Sequence, residues 1–375
     1  MTDLRYFATC ARGLESILAD ELRGLSARDV EAGRGGVHFS GDRGQLYRAN
    51  LWLRTAIRVL APVVEGPADS PDQLYELVRT VDWSRFLTPE HTLAVDAYVR
   101  DSTISLSQYA ARRVKDAICD QFRERTGARP SVDPEQPMVP LNLHLARNRA
   151  VVSLDSSGDS LHKRGYRPVQ TIAPLNEALA AGLVLRSGWR GAAPFVDPMC
   201  GSGTLPIEAA WIALHRPPGL TRRHFGFMGW LDFDIEQWTS LRDDARRRMR
   251  TALDHPVAGS DERRDAIDRA HANSRAAGIG HLLWLDVKAM HDFTPPPGPP
   301  GTLICNPPYG ERIGEEKELV GLYRKLGEVI RDRLAGWTVW VFTGNDRLAE
   351  EIGLARKDEL ALYNGRIPCR FLRFG

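Results

Sequence analysis

The stretch Phe195-Val-Asp-Pro-Met-Cys-Gly-Ser-Gly-Thr204 constrains this chain more than any other. It starts as a short apolar strand, turns at Gly201 and Gly203, and runs into an apolar helix predicted over residues 205–214. Glycine lacks Cβ, so its backbone can take positive φ and a ligand can approach it closely. The first N–H groups of the following helix have no partners within the helix. The pattern therefore predicts a loop for a nucleotide-like ligand at the carboxyl end of a sheet strand.

The glycine turn alone does not identify the ligand. A dinucleotide fingerprint, G-x-G-x-x-G, would need glycine at position 206, where this chain has Pro206. A Walker loop would need a lysine, and the turn contains none. An ordinary strand-to-helix turn with two glycines remains an equal alternative on this stretch by itself.

A second stretch removes that alternative, because Thr302-Leu-Ile-Cys-Asn-Pro-Pro-Tyr-Gly310 follows about a hundred residues later. The two motifs together resemble the class I S-adenosylmethionine-dependent methyltransferases that act on exocyclic amino nitrogens. The Asn306 side-chain oxygen and the Pro307 carbonyl can each accept one hydrogen of a base amine, which directs the nitrogen lone pair towards the methyl group. Pro308 stiffens the turn, and Tyr309 offers an aromatic face to a flipped base. We predict these four residues as the catalytic set, with no titrating general base.

Polar side chains are predicted at the ends of three successive strands after the glycine turn, at Asp261, Asp286 and Asn306. A doubly wound sheet binds its ligand at that edge. Asp261, with Glu262 beside it, is placed to accept from ribose hydroxyls, and Asp286 from the adenine amine. The full set of predicted cofactor-binding residues is Thr171, Asp197, Met199, Gly201, Ser202, Gly203, Thr204, Asp261, Glu262, Asp286 and Asn306.

The composition of the chain limits where the protein can act and what it can bind. The net charge is only +2, so a nucleic-acid surface must be local. The five cysteines form no C-x-x-C pair and the histidines no H-E-x-x-H motif, so we expect no metal. No apolar run approaches the roughly 18 residues of a membrane span, and the N-terminus lacks a signal-peptide pattern. We expect a soluble, cytoplasmic monomer.

Two segments before the glycine turn carry the predicted RNA-binding side chains. One is the outer face of a helix predicted over residues 105–125, and the other is Leu161-His-Lys-Arg-Gly-Tyr-Arg-Pro168, where basic and aromatic residues are most closely mixed. Basic side chains suit phosphates and a tyrosine can stack on a base. A solvated helix face and a charged linker are the respective alternatives. The predicted RNA-binding residues are Arg112, Arg113, Lys115, Lys163, Arg164, Tyr166 and Arg167.

The chain as a whole resembles the THUMP-domain RNA methyltransferases, most closely the 23S ribosomal RNA guanine-N2 methyltransferases. The resemblance includes Ala11-Arg-Gly-Leu-Glu15, Ser107-Gln-Tyr109, Val114-Lys-Asp-Ala-Ile118, the basic segment 161–167 and both motifs, the second extended as Asn306-Pro-Pro-Tyr-Gly-Glu-Arg312. It implies an α/β, Rossmann-like class I methyltransferase domain with a doubly wound mixed sheet, preceded by α+β ferredoxin-like and THUMP domains. The implied ranges are 1–64 for the ferredoxin-like domain, 65–156 for the THUMP domain and 157–375 for the methyltransferase domain.

The boundaries are set by two polar, turn-rich stretches, Glu65–Pro71 and Ser156–Ser160. Within the methyltransferase range, residues 216–250 form an insertion that is either a lid or packed on the sheet edge. Some members of the family carry a second, fused methyltransferase acting on guanine N7. Because this chain ends at Gly375 without a second glycine turn, we expect only the first activity.

The resemblance implies methyl transfer from S-adenosylmethionine to guanosine N2 in 23S ribosomal RNA. The residues alone leave adenine N6, cytosine N4 and guanine N2 open. A DNA adenine-N6 methyltransferase would share the Asn-Pro-Pro-Tyr motif but not the N-terminal half. A tRNA guanine-N2 methyltransferase and a non-catalytic RNA-binding assembly factor are the remaining alternatives.

Overall fold

The structure, a computed structural model, describes residues 4–167, 175–310 and 315–375. Its strands form two sheets, one from each half of the chain. The N-terminal elements are β1 (Leu4–Cys10), α1 (Glu15–Gly24), β2 (Arg28–Gly33), β3 (Gly36–Gly41), α2 (Arg43–Trp52), β4 (Ala56–Pro67), α3 (Pro71–Arg79), β5 (Thr92–Arg100), α4 (Ser107–Thr126), β6 (Ser131–Val132), β7 (Val139–Ala146) and β8 (Arg149–Asp155).

The first sheet runs without interruption through both predicted N-terminal domains, in the order β2-β3-β1-β4-β8-β7-β5-β6. Strand β4 joins the two parts, because its beginning pairs with β1 and the rest pairs with β8. The turn predicted to start at Glu65 therefore begins only after Pro67, since residues 65–67 still pair with β8. Gly66 and Pro67 have turn composition but occupy the end of a strand. The division into domains at residue 64 stays a proposal.

Helix α4 shows how an amphipathic sequence builds this half. Its buried side includes Val114, Ile118 and Phe122, as their spacing predicts. The helix ends at Gly127, whose φ of 74° suits the left-handed position that closes a helix. Helix α3 begins at Pro71 after Ser70, whose side chain accepts a hydrogen bond from the Gln73 N–H.

The C-terminal half contains the second sheet, which is mixed as the sequence predicts. The elements are α5 (Glu177–Arg186), β9 (Phe195–Asp197), α6 (Thr204–Ala213), α7 (Ile235–Arg248), β10 (Val257–Asp261), α8 (Arg264–Ala276), β11 (Leu283–Val287), β12 (Thr302–Cys305), α9 (Glu315–Arg333), β13 (Thr338–Thr343), α10 (Asp346–Glu350), β14 (Arg356–Asn364) and β15 (Ile367–Phe374). The strand order is β11-β10-β9-β12-β13-β15-β14, with β9 to β13 parallel and β15 antiparallel to its neighbours. The strand order reverses between β9 and β12: β10 and β11 are added on one side of β9, and β12 and β13 on the other. Such sheets bind ligands at this point.

The final hairpin, β14–β15, was not predicted although the sequence carries a signal for it. The two-residue turn is Gly365-Arg366, and glycine at its first position is typical of tight hairpins. Gly365 has φ 60°, which glycine adopts without strain. This hairpin places Asn364 beside the candidate site described below.

The insertion at residues 216–250 packs against helix α2 of the N-terminal half. Its aromatic side chains Phe225, Phe227 and Trp238 are buried. Phe227 and Trp238 pack with Tyr47 of α2, with ring centroids 4.6 Å apart for Tyr47 and Phe227, and Phe225 packs on Trp238. Gly226 permits this contact, because a Cβ there would lie 2.1 Å from the Asp155 carbonyl oxygen. The insertion thus connects the two halves through a shared apolar core.

Candidate active site

The glycine turn lies at the carboxyl end of β9 and is held by its neighbours. Gly201 and Gly203 have φ values of 54° and 82°, which confirms the predicted left-handed turn. A Cβ on Gly203 would meet the Ala270 Cβ at 3.1 Å, whereas the space beside Gly201 is open. The Asn273 side chain donates to the Ser202 carbonyl at 2.9 Å, and the Cys200 N–H donates to the Ser260 carbonyl at 2.8 Å. The loop is fixed to α8 and β10 while its outer side stays accessible.

Helix α6 begins at Thr204 directly after Gly203, and no side chain in the described part of the chain caps it. Its first N–H groups therefore point into the turn with their hydrogen-bonding capacity unused, together with the positive end of the helix dipole. Met199 and Ser202 are half-buried at the same turn. A cofactor carrying a carboxylate fits this arrangement.

Two strand-end carboxylates lie close behind the glycine turn. Asp197 is buried, its side chain accepts from the Met199 N–H at 3.1 Å, and desolvation by burial raises its pKa well above the usual range. The Asp261 carboxylate accepts from the N–H groups of Gly201 and Arg263, each at 3.0 Å. Each carboxylate oxygen can accept more than one hydrogen bond, so Asp261 keeps capacity for a ligand diol.

The other two predicted carboxylates are more exposed than Asp261. Glu262 is exposed, and the Asp286 side chain is 72% exposed with the Lys288 ammonium 4.0 Å away. Asp286 pairs in register with Ser260, one residue before the end of β10. Their contacts with ribose and adenine stay predictions. Thr171 lies outside the described residues.

Asn306 follows β12 directly and supplies an unusual polar atom. Its side-chain oxygen, Oδ1, is buried and has no hydrogen-bond partner among the residues that the structure describes. Buried acceptors of this kind are rare in folded proteins because an unmade hydrogen bond costs about 1–3 kcal/mol. Pro307 is buried and Pro308 exposed, and neither has an N–H that could compete for a substrate acceptor. The oxygen is free to accept from a ligand.

Tyr309, the last residue of the motif, is held by the final hairpin. Its hydroxyl accepts a hydrogen bond from Asn364 Nδ2 at 3.0 Å. Gly344 leaves room for the ring, because a Cβ there would lie 3.0 Å from Tyr309 Cδ2. Asn364 was missed in the sequence, because nothing local links the hairpin turn to a motif 55 residues earlier.

The structure contradicts the prediction that segment 161–167 binds RNA through Arg164 and Tyr166. Arg164 and Tyr166 are each about 1% exposed, so neither can contact RNA. The Arg164 guanidinium donates to the carbonyls of Leu161 and Arg54, and the Tyr166 hydroxyl donates to Glu208 of α6 at 3.1 Å. These side chains hold the two halves of the protein together.

Arg167 also points inward. Its guanidinium donates to the Thr204 hydroxyl and, at 2.6 Å, to the Leu175 carbonyl, and its Nε lies 3.5 Å from Glu177. It thereby connects the start of α6 to the start of α5, beside the glycine turn. Thr204 is buried at this position. Of the predicted basic segment, Lys163 is the side chain that reaches solvent, where it pairs with Asp159 at 3.2 Å.

The predicted basic residues of α4 do lie at the surface. Arg112 is exposed, Arg113 pairs with Asp72 at 2.9 Å, and Lys115 pairs with Asp116. Contact of these three with RNA stays a prediction. Within residues 4–167, 175–310 and 315–375, no cluster of three or more His, Cys, Asp or Glu is placed to hold a metal, and no helix is long and apolar enough to cross a membrane.

Family models match nearly the whole chain. A model described as "RMKL-like, methyltransferase domain" matches residues 164–373, an RlmL ferredoxin-like domain matches 5–60, and a THUMP domain matches 68–155. The methyltransferase match contains both the glycine turn and the Asn306 motif.

Individual relatives agree with these matches. The ribosomal RNA large subunit methyltransferase K/L of Syntrophotalea carbinolica is 48% identical over 99% of this chain and 53% of the relative. A Synechocystis protein, slr0064, whose name proposes an RNA methyltransferase, is 42% identical over 98% of this chain and 96% of its own length. The chain thus spans about half the length of the K/L relatives that it matches.

A solved structure shares the complete fold. SMU.472, described as a candidate methyltransferase and crystallised with SAH, superposes with a TM-score of 0.91 at 31% identity, covering 100% of this chain and 98% of that one. The likeness spans both sheets, so the arrangement of the two halves is common to both proteins.

Proposed function

The chain belongs to the family of RMKL-like methyltransferases that carry RlmL ferredoxin-like and THUMP domains, and on that premise we propose that it transfers a methyl group from S-adenosylmethionine to the exocyclic N2 of a guanosine in 23S ribosomal RNA. The observation that carries the proposal is the buried Oδ1 of Asn306, which has no hydrogen-bond partner among the described residues. The exocyclic amine of the substrate base donates the hydrogen bond that this oxygen lacks.

Asn306 and the Pro307 carbonyl act as two hydrogen-bond acceptors for the amine. The lone pair of a base amine is delocalised into the ring and attacks poorly. Holding both hydrogens fixes the nitrogen so that its lone pair faces the methyl donor, and the same acceptors stabilise the positive charge that develops as the new N–C bond forms. One proton then passes from the methylated nitrogen to solvent. No titrating side chain is required for the methyl-transfer step.

The cofactor half of the site fits S-adenosylmethionine, which is the cofactor of this family and supplies an electrophilic methyl group on a sulfonium. The uncapped start of α6 and the open side of Gly201 suit the carboxylate of its amino acid head. Asp197 is placed for the ammonium of that head. Asp261 retains lone pairs for the ribose hydroxyls.

The choice of guanine rests on the family resemblance, and the choice of ribosomal RNA rests on that resemblance and on the names of the K/L relatives. The target base must leave its stack to reach Tyr309, so an accessible loop or helix end is the expected substrate. The surface residues Arg112, Arg113, Lys115 and Lys163 are proposed to contact RNA phosphates.

The proposal is tested by incubating the purified protein with labelled S-adenosylmethionine and unmodified 23S ribosomal RNA or tRNA, followed by nucleoside mass spectrometry. The expected product is one N2-methylguanosine in 23S ribosomal RNA. Product in tRNA alone would favour a tRNA guanine-N2 methyltransferase. N6-methyladenosine would refute the choice of base, and binding of RNA without binding of the cofactor would favour an assembly factor.

A further inference from the structure

A cleft of about 380 Å³ opens between the two halves of the protein, on the other side of the hairpin turn from Tyr309. It is lined by residues from four separate parts of the chain, among them Arg12, Ile57, Asn176, Leu179, Tyr363 and Gly365. No function considered so far uses this cleft.

Its distinctive feature is a cation–π pair formed across the junction of the two halves. The Arg12 guanidinium carbon lies 5.0 Å from the centre of the Tyr363 ring, and Arg12 Nη1 donates to the Tyr363 hydroxyl at 3.1 Å. Arg12 is exposed, and within the described part of the chain no carboxylate pairs with it. Four of its five N–H donors and the outer face of its planar group are therefore open to a ligand.

The cleft is linked to the candidate active site through the final hairpin. Asn364, which donates to the Tyr309 hydroxyl, lies between Tyr363 and Gly365 in the same turn. One face of the turn thus supports the catalytic motif while the other lines the cleft. Arg366 follows in the turn and is exposed, which adds a second positive charge at the rim.

We propose that this cleft binds the RNA nucleotide next to the target guanosine, an inference that rests on the proposed function. RNA-binding proteins stack unpaired bases on aromatic rings and on arginine guanidinium planes. Here the base stacks on Arg12, which Tyr363 supports from behind, and the remaining Arg12 N–H groups together with Arg366 receive the flanking phosphate. Holding the neighbour keeps the strand open while the target base occupies the site beside Tyr309.

The test compares Arg12→Ala, Tyr363→Leu and Tyr363→Phe with the wild-type protein. For each variant, KM for RNA and kcat are measured, with RNA affinity by fluorescence anisotropy, cofactor affinity by calorimetry and the melting temperature. Arg12→Ala and Tyr363→Leu should each raise KM for RNA about tenfold or more, since stacking of one base is worth about 1–3 kcal/mol and each 1.4 kcal/mol is tenfold. Tyr363→Phe keeps the ring and should stay within about threefold of wild type.

Cofactor affinity and the melting temperature should not change in any of the three variants. Arg331→Ala removes an exposed arginine from α9, outside the cleft, and is the matched control for loss of one positive charge. Its KM for RNA should remain at the wild-type value.

Unchanged KM in Arg12→Ala and Tyr363→Leu, with a wild-type protein that methylates RNA, would overturn the cleft proposal and leave the proposed function standing. A lower melting temperature with unchanged KM would also overturn it, because the pair would then be only a brace. Weaker RNA binding by both variants, with no methylated nucleoside from wild type, would support the cleft and refute the proposed function.

Discussion

The candidate active site consists of a cofactor half and a substrate half, which differ in how many of their polar groups are already hydrogen-bonded within the protein. In the cofactor half, the Asp261 carboxylate already accepts from two backbone N–H groups and Asp197 from one. In the substrate half, Asn306 Oδ1 is buried without a partner among the described residues. Backbone hydrogen bonds therefore hold the carboxylates of the cofactor half in place, whereas we propose that the substrate amine supplies the hydrogen bond that Asn306 Oδ1 lacks among the described residues.

This difference indicates that the cofactor half and the substrate half of the site have separate tasks. Carboxylates that are fixed by backbone hydrogen bonds present a constant surface for a cofactor that is common to every turnover. An acceptor that lacks a partner gains most from a ligand with a donor at that point, so it contributes to the choice and activation of the base. Mutations in the two halves should accordingly affect different measured constants.

The largest effect is expected for Asn306→Ala. Loss of an acceptor that stabilises developing charge should reduce kcat by about 10²–10³-fold, as when one donor of an oxyanion hole is removed. Affinity for S-adenosylmethionine, measured by calorimetry, should stay within about twofold if the halves act separately. Asn306→Asp keeps an acceptor oxygen and should retain more turnover than the alanine variant. Equal loss of cofactor affinity would break the comparison.

Asp261→Ala should act mainly on the cofactor. Removing the carboxylate that we propose to bind the ribose, and that accepts from the Gly201 amide, should weaken cofactor binding by about 2–3 kcal/mol, measured by titration calorimetry. The matched control is Asp265→Ala, an exposed carboxylate at the start of α8 that pairs with Arg269. That surface pair is worth at most about 1 kcal/mol and lies outside the site. Unchanged affinity in Asp261→Ala would remove this residue from the cofactor site.

The smallest expected effect concerns the two glycines of the turn, Gly201 and Gly203. Gly203→Ala places a Cβ 3.1 Å from the Ala270 Cβ on a backbone with φ 82°, whereas Gly201→Ala meets no atom within 4 Å at φ 54°. The left-handed conformation costs a non-glycine residue about 1–2 kcal/mol in either case. In chemical denaturation, Gly203→Ala should therefore lower the free energy of unfolding more than Gly201→Ala. The reverse order would show that the contact with α8 does not limit the turn.

Much of the candidate site could be predicted from sequence because local backbone requirements fix it. Gly201 and Gly203 stand where the chain needs positive φ, and the confirmed parallel order of β9 to β12 brings their carboxyl ends to one edge. Asn306 follows its strand directly, as predicted. These features depend on neighbours in the chain or on a repeated strand–helix pattern.

The features that sequence reasoning missed depend on distant partners. The basic segment 161–167 has the composition of a surface, yet Arg164 and Tyr166 are buried. Glu208, more than 40 residues away, accepts a hydrogen bond from Tyr166 and forms an ion pair with Arg164. The aromatic residues of the insertion find Tyr47 of α2 in the same way. No local pattern distinguishes a buried, paired arginine from one that is ready for RNA.

The most direct test of the central claim places the amine and Asn306 in one thermodynamic cycle. Once the target guanosine is located by mass spectrometry, affinities are measured for RNA with guanosine or inosine at that position, using wild-type protein and Asn306→Ala. Inosine lacks the N2 amine. Wild type should bind the guanosine RNA more tightly by about 1–3 kcal/mol, the value of a satisfied buried acceptor, and Asn306→Ala should lose most of that preference. An equal preference in both proteins would contradict the assignment of the amine to Asn306.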